Sequence, residues 1–165
     1  MYPITMTITP GVGRKAKVNS KQSFSSNKIV VGDADSLIAL ADKQDANNTR
    51  AVKTGEWLLS MGYEVIYPNT AILEAITALR RAKNLPDKAN LITKQYLAGA
   101  FAVEFVNEMI QRRAAQRFTR TDSKQDTIFD CVVAETADDL KADYIFSFDT
   151  FYPKQGFELA EVPEE

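Results

Sequence analysis

The sequence predicts a single α/β domain built on a mainly parallel sheet of four to five strands. Short apolar runs of strand length, such as Ile29-Val30-Val31 and Tyr144-Ile145-Phe146, stand apart from segments whose apolar residues recur three and four positions apart. The two kinds of segment alternate along the chain, which is the pattern of βαβ units. At 165 residues the chain is long enough to bury one real core.

The elements follow in order. Ile29–Gly32 reads as a buried strand, followed at once by a helix through Leu37, Ile38, Leu40 and Ala41, with Asp35 placed to cap it. Asn47 or Asn48 is expected to cap a second helix, which carries Val52, Trp57, Leu58 and Met61 and stops at Gly62. Glu64–Tyr67 is a second strand. Pro68-Asn69-Thr70 turns into a third helix from Ala71 to about Lys83. Pro86 opens a fourth helix ending near Gly99, and Phe101–Val106 reads as a third strand. Asn107 caps a helix with Met109, Ile110, Ala114 and Phe118. Ser123 is expected to cap the next, from Lys124 to Lys141. Tyr144–Phe148 is a fourth strand, and Phe157–Ala160 an edge fifth.

Residues 1–27 are rich in Ser, Thr, Asn, Lys and Gly and show neither period. They read as a disordered basic arm ahead of one domain spanning 28–165. Arg14, Lys15, Lys17 and Lys21 give the arm +4, so the rest carries −6 of the net −2. A second basic stretch runs from Arg112 to Lys124, and Glu158 to Glu165 holds four Glu and no base.

Composition removes several chemistries. There is no histidine, so Ser-His-Asp and Cys-His arrangements are excluded. Lone Cys131 rules out an internal disulfide and a Cys-based zinc site, and suits a reducing, cytoplasmic setting. No apolar run approaches the ~20 residues of a membrane helix.

Four acids stand out: Asp33, Glu74, Asp130 and Asp149. Asp33 and Asp149 end strand-like runs, and ligands of open α/β sheets bind beyond the strands' carboxyl ends. Glu74 and Asp130 lie among apolar helical residues, where an unpaired charge is costly. Gathered together, such carboxylates repel and raise one another's pKa unless a cation joins them. Oxygen ligands alone suit Mg²⁺ or Mn²⁺, and that favours metal-assisted phosphoryl or phosphodiester chemistry. Asp126, four residues before Asp130, shares its expected helix face. Each acid also has a plainer reading. Asp33 and Asp35 can be helix caps, Asp149 a turn former, and Asp126 a first-turn residue. Glu74 and Asp130 can pair with Arg80, Arg81 or Lys28.

Several of these segments resemble the acidic motifs of PIN-domain ribonucleases, including VapC-like toxins. Val30-Val31-Gly32-Asp33-Ala34-Asp35-Ser36-Leu37-Ile38 resembles the family's first motif, and Pro68 to Arg81, around Glu74, the second. Asp130 to Ala137 resembles the third and Ser147-Phe148-Asp149 the fourth. Asp35 departs from the Ser or Asn common there, and Ser147 from the commoner Thr. The resemblance implies a three-layer α/β/α fold and an Mg²⁺- or Mn²⁺-dependent endoribonuclease. Asp33, Glu74, Asp130 and Asp149 would hold one or two metals, and Asp126 would help through a bound water. A water would be activated for in-line attack on RNA, and Ser147 would orient Asp149. Arg80, Arg81, Arg113 and Arg117 are candidates for RNA phosphates. A homodimer and a small antitoxin partner are further implications.

Two rivals remain open. The run Asp33-Ala34-Asp35 after a strand also resembles the first motif of haloacid-dehalogenase-type phosphatases. A domain of the same fold that binds RNA or a partner without cutting is the other.

Overall fold

A computed structural model describes residues 28–163, so the basic arm expected over 1–27 lies outside the described residues. Four parallel strands form one sheet in the order β3-β2-β1-β4: β1 Ile29–Gly32, β2 Glu64–Pro68, β3 Ala102–Glu104 and β4 Tyr144–Phe146. Central β1 pairs on both sides, Val31 lying opposite Ile66 of β2 and Ile145 of β4. Val30 and Val31 are fully buried, as a strand covered on both faces requires. The expected fifth strand is reduced to a single bridge between Ile145 and Leu159.

Seven helices complete the described chain: α1 Ala34–Ala41, α2 Asn48–Ser60, α3 Asn69–Arg81, α4 Pro86–Leu97, α5 Glu108–Phe118, α6 Ile128–Leu140 and α7 Phe151–Lys154. The chain steps from β1 to β2 to β3 in one direction, then crosses back past β1 to β4. Right-handed crossovers therefore place α1–α4 on one face and α5–α6 on the other, giving three layers. The packing agrees: α1 lies on α2 and α3, α5 on α6, and α6 over β1. The reversal of direction falls between β1 and β4, and the sheet's carboxyl edge opens a crevice there.

Local chemistry explains most boundaries. Gly62 ends α2 with φ +75°, a conformation that favours glycine. Asn107 caps α5, its side chain accepting from the Ile110 N–H at 3.0 Å. Gly32 has a different reason: a Cβ there would stand 2.1 Å from the ring of Tyr67, so the buried tyrosine occupies the space a side chain would need. Phe146, Phe151 and Tyr152 are buried behind it, each aromatic contributing about 2–3 kcal/mol over exposure.

Two expectations are corrected and one is refined. Asp33, not Asp35, caps α1. Asn47 stands at the N-cap of α2 as expected, but its side chain makes no capping bond, and Asn48 donates to the Ala39 carbonyl at 2.7 Å. Helix α6 starts at Ile128, four residues late, because Thr127 and Asp130 form a reciprocal capping box there. Ser123 only closes a local turn with the Gln125 N–H. Asp126 therefore precedes the helix and does not share a helix face with Asp130.

Candidate active site

The crevice is floored by Asp33. Its backbone N–H donates to the Phe146 carbonyl at 3.1 Å, continuing the β1–β4 ladder by one residue. Its carboxylate Oδ1 accepts from the Ala34 N–H at 2.6 Å. Oδ2 accepts from the Tyr152 hydroxyl at 2.8 Å and lies 3.1 Å from Ser147 Oγ. Asp33 is 5% exposed, and among the described residues no base pairs with it. Burial pushes its carboxyl well above the usual range, and Asp35 raises it further, while the Tyr152 and Ala34 bonds hold it back.

Asp35 reaches across to the loop after β4. Its Oδ2 accepts from the Phe148 N–H at 2.7 Å and from Ser147 Oγ at 2.9 Å. Ser147 has one hydroxyl proton and two carboxylates within reach, so it serves both only if one carboxyl brings a proton of its own. Burial pushes Asp35 up to about 6, consistent with that sharing. Its other oxygen, Oδ1, is buried with no hydrogen-bond partner. Ser147 Oγ also accepts the Asp149 N–H at 3.1 Å. Ser147 thus fixes the Asp149 backbone rather than its carboxylate.

The remaining acids rim the crevice. Glu74, on α3, is half-buried, and burial followed by the charges of Asp130 and Asp35 pushes it up to about 7. Asp130, at the start of α6, is raised by burial although the Thr127 N–H at 2.6 Å holds it back, with Asp149 and Asp126 adding to the rise. Asp149 is exposed; its Oδ1 accepts from the Phe151 N–H at 2.8 Å and forms the turn into α7. The plain roles expected of Asp33 as a cap and of Asp149 as a turn former are therefore real, and Asp130 has an unexpected one in the capping box of α6.

The expected ion pairs are absent. Among the described residues neither Glu74 nor Asp130 is bridged to a base, and Lys28 donates to the Met61 carbonyl instead. The basic residues sort differently from expectation. Arg113 and Arg117 clasp the buried Glu135 at 3.1 and 2.7 Å, and reach Asp139 and Asp138 beyond it. Arg80 and Arg81 are exposed at the far end of α3, about 9 Å along the helix from Glu74. Sequence reasoning missed Tyr152 and Tyr67. A tyrosine in an aromatic run carries no sign that its hydroxyl supports an acid.

The donor set fits a hard divalent cation. It is oxygen throughout, its charges raise one another, no base among the described residues neutralises it, and Asp35 Oδ1 is buried without a hydrogen-bond partner among them. Among the described residues no three of these groups already converge on one point, so engaging an ion requires side-chain movement. Asp33 is held by three hydrogen bonds, Asp130 by the Thr127 N–H and Asp149 by the Phe151 N–H.

No family model matches the chain, and no curated protein matches it in sequence. Its architecture does have a counterpart in the crystal structure of Mycobacterium tuberculosis VapC20, a sarcin-ricin loop cleaving toxin. The two align over 81% of this chain and 99% of that one, with a TM-score of 0.70 at 19% identity. The chain has a PIN-like fold. In this PIN-like domain no described helix is long and apolar enough to cross a membrane.

Proposed function

We propose that this protein is an Mg²⁺- or Mn²⁺-dependent endoribonuclease of the PIN-domain family. The observation that carries the reading is a buried carboxylate, Asp33, at the end of the central strand, whose carboxyl is raised by burial and by the charges of Asp35 and Asp130, with no compensating base among the described residues. A stability-driven fold would pair or remove such a charge. RNA as substrate follows by analogy with the fold's counterpart, a sarcin-ricin loop cleaving toxin.

Asp33, Glu74, Asp130 and Asp149 would hold the ion, with Asp126 close enough to Asp130 to add negative field. When bound, the ion supplies charge neutralisation at the phosphodiester and a water of lowered pKa. The chain's own residues do the positioning. Ser147 and Tyr152 lock Asp33 in place, and Asp35 ties the Ser147-Phe148 backbone to α1. Rigid donors held by hydrogen bonds lose little on binding.

A second copy and a small antitoxin remain part of the proposal. The apolar groove beside Glu74, lined by Thr70, Leu73, Thr77, Ala78 and Phe129, is where a partner would control access. The haloacid-dehalogenase reading is disfavoured, because a nucleophilic Asp33 would have to escape three hydrogen bonds.

The test is cleavage of a mixed set of labelled RNAs with Mn²⁺ or Mg²⁺, with EDTA and Asp33→Asn as controls. Cutting lost in both controls is the expected result. Folded, cation-loaded protein that binds RNA but leaves it intact would favour the non-cutting binder.

A further inference from the structure

Arg50 on α2 is placed unlike the other arginines. Its guanidinium lies 5.1 Å over the ring of Phe148, the residue next to Asp149, whose N–H donates to Asp35 at 2.7 Å. It therefore reaches the loop that carries one wall of the acidic crevice. The same guanidinium is paired with Glu161, just past the Ile145–Leu159 bridge. Both side chains are about half exposed, at 47% and 56%. Beside them opens a groove of about 380 Å³ lined by Thr49, Arg50, Lys53, Thr54, Glu161 and Val162, a size within the range of small-ligand clefts. It offers two basic side chains and two hydroxyls, with Glu161 the only acid among the described residues.

We infer that this groove binds a phosphate of an RNA strand leaving the acidic crevice, and that Glu161 sits on Arg50 as a removable stand-in for that phosphate. The inference rests on the ribonuclease reading and deepens it. An acidic crevice repels a polyanion, so a strand crossing it needs a cationic hold nearby. Arg113 and Arg117 of α5 are clasped to buried Glu135 and do not meet that need, Arg112 is paired with Glu108 on its own helix, and Arg80 and Arg81 stand at the far end of α3. Arg50 does, because an exposed carboxylate pair is weak and yields to a better anion. Arg50 then presents its planar fork to the phosphate while Phe148 supports its other face.

The test is fluorescence anisotropy of a labelled single-stranded RNA in EDTA, where nothing is cut, across a salt series. Glu161→Gln should tighten binding by about fivefold, and Arg50→Gln should weaken it by about tenfold and lower the salt slope by about 0.7, one phosphate contact. Lys53→Gln should weaken binding in the same direction and serves if Arg50→Gln melts early by circular dichroism. Binding that Glu161→Gln does not tighten, or that no basic-residue variant weakens, overturns the inference. Tightening and weakening as expected, in a protein that never cuts RNA with Mn²⁺, would keep the groove and end the ribonuclease reading. Metal-dependent cutting with unmoved binding would do the reverse.

Discussion

Two regions of this molecule bury carboxylates, and they treat them in opposite ways. Between α5 and α6, Glu135 is 8% exposed and held by the guanidinium groups of both Arg113 and Arg117. At the sheet edge, Asp33 is 5% exposed and, among the described residues, has hydroxyls, a backbone N–H and other acids for company but no base. The first arrangement satisfies its charge within the fold. The second leaves its charge unanswered and raises the pKa of Asp33, Asp35, Glu74 and Asp130 together. The difference separates a structural ion cluster from a site that expects a ligand.

The comparison breaks most sharply in activity. Asp33→Asn is expected to lower RNA cleavage by at least about 10³-fold while the protein stays folded, because it removes the fixed charge of the site. Glu135→Gln should leave cleavage per folded molecule within about twofold, as Glu135 touches no residue of the crevice. Cleavage rates measured against folded fraction decide both.

Stability should show the reverse order. Glu135→Gln strands Arg113 and Arg117 and should cost about 1–3 kcal/mol in urea unfolding, less than a fully buried pair because both arginines remain partly exposed. Gly32→Ala tests the floor of the crevice. It drives a methyl into the Tyr67 ring and should cost about 1–3 kcal/mol. An unchanged midpoint would mean that Tyr67 moves aside freely.

The smallest effect is in pH. Asp35 and Glu74 have folded-state values of about 6 and about 7, above their ordinary ones near 4. Between about pH 4 and pH 7 the folded state therefore binds more protons than the unfolded state. Cation-free protein should lose stability as pH rises through that window. Added Mn²⁺ should flatten the trend by taking the protons' place. Thermal melts at several pH values, with and without Mn²⁺, measure it.

Much of this was legible in the residues. Strand-length apolar runs and helical spacing located all four strands and the six longer helices, because each element buries one consistent face. Asp33 was visible as an acid at the end of a strand, and Glu74 and Asp130 as charges in apolar helical surroundings. Other features depended on tertiary contacts. Asp35 looked like a cap because caps are local, yet its partners Ser147 and Phe148 lie more than a hundred residues away. The start of α6 was misplaced because Ser123 and Thr127 are both good caps, and only the reciprocal Asp130 bond decides between them. Arg113 and Arg117 looked free because Glu135 lies on a different helix. The fifth strand failed because Leu159 alone meets β4.

Calorimetric titration of Mn²⁺ into the folded protein at neutral pH tests the central claim most directly, with Asp33→Asn and Glu135→Gln alongside. The account predicts saturable binding by the unaltered protein and by Glu135→Gln, and its loss in Asp33→Asn. Binding that survives in Asp33→Asn, or no binding at all, would contradict the assignment of the sheet-edge acids as a cation site.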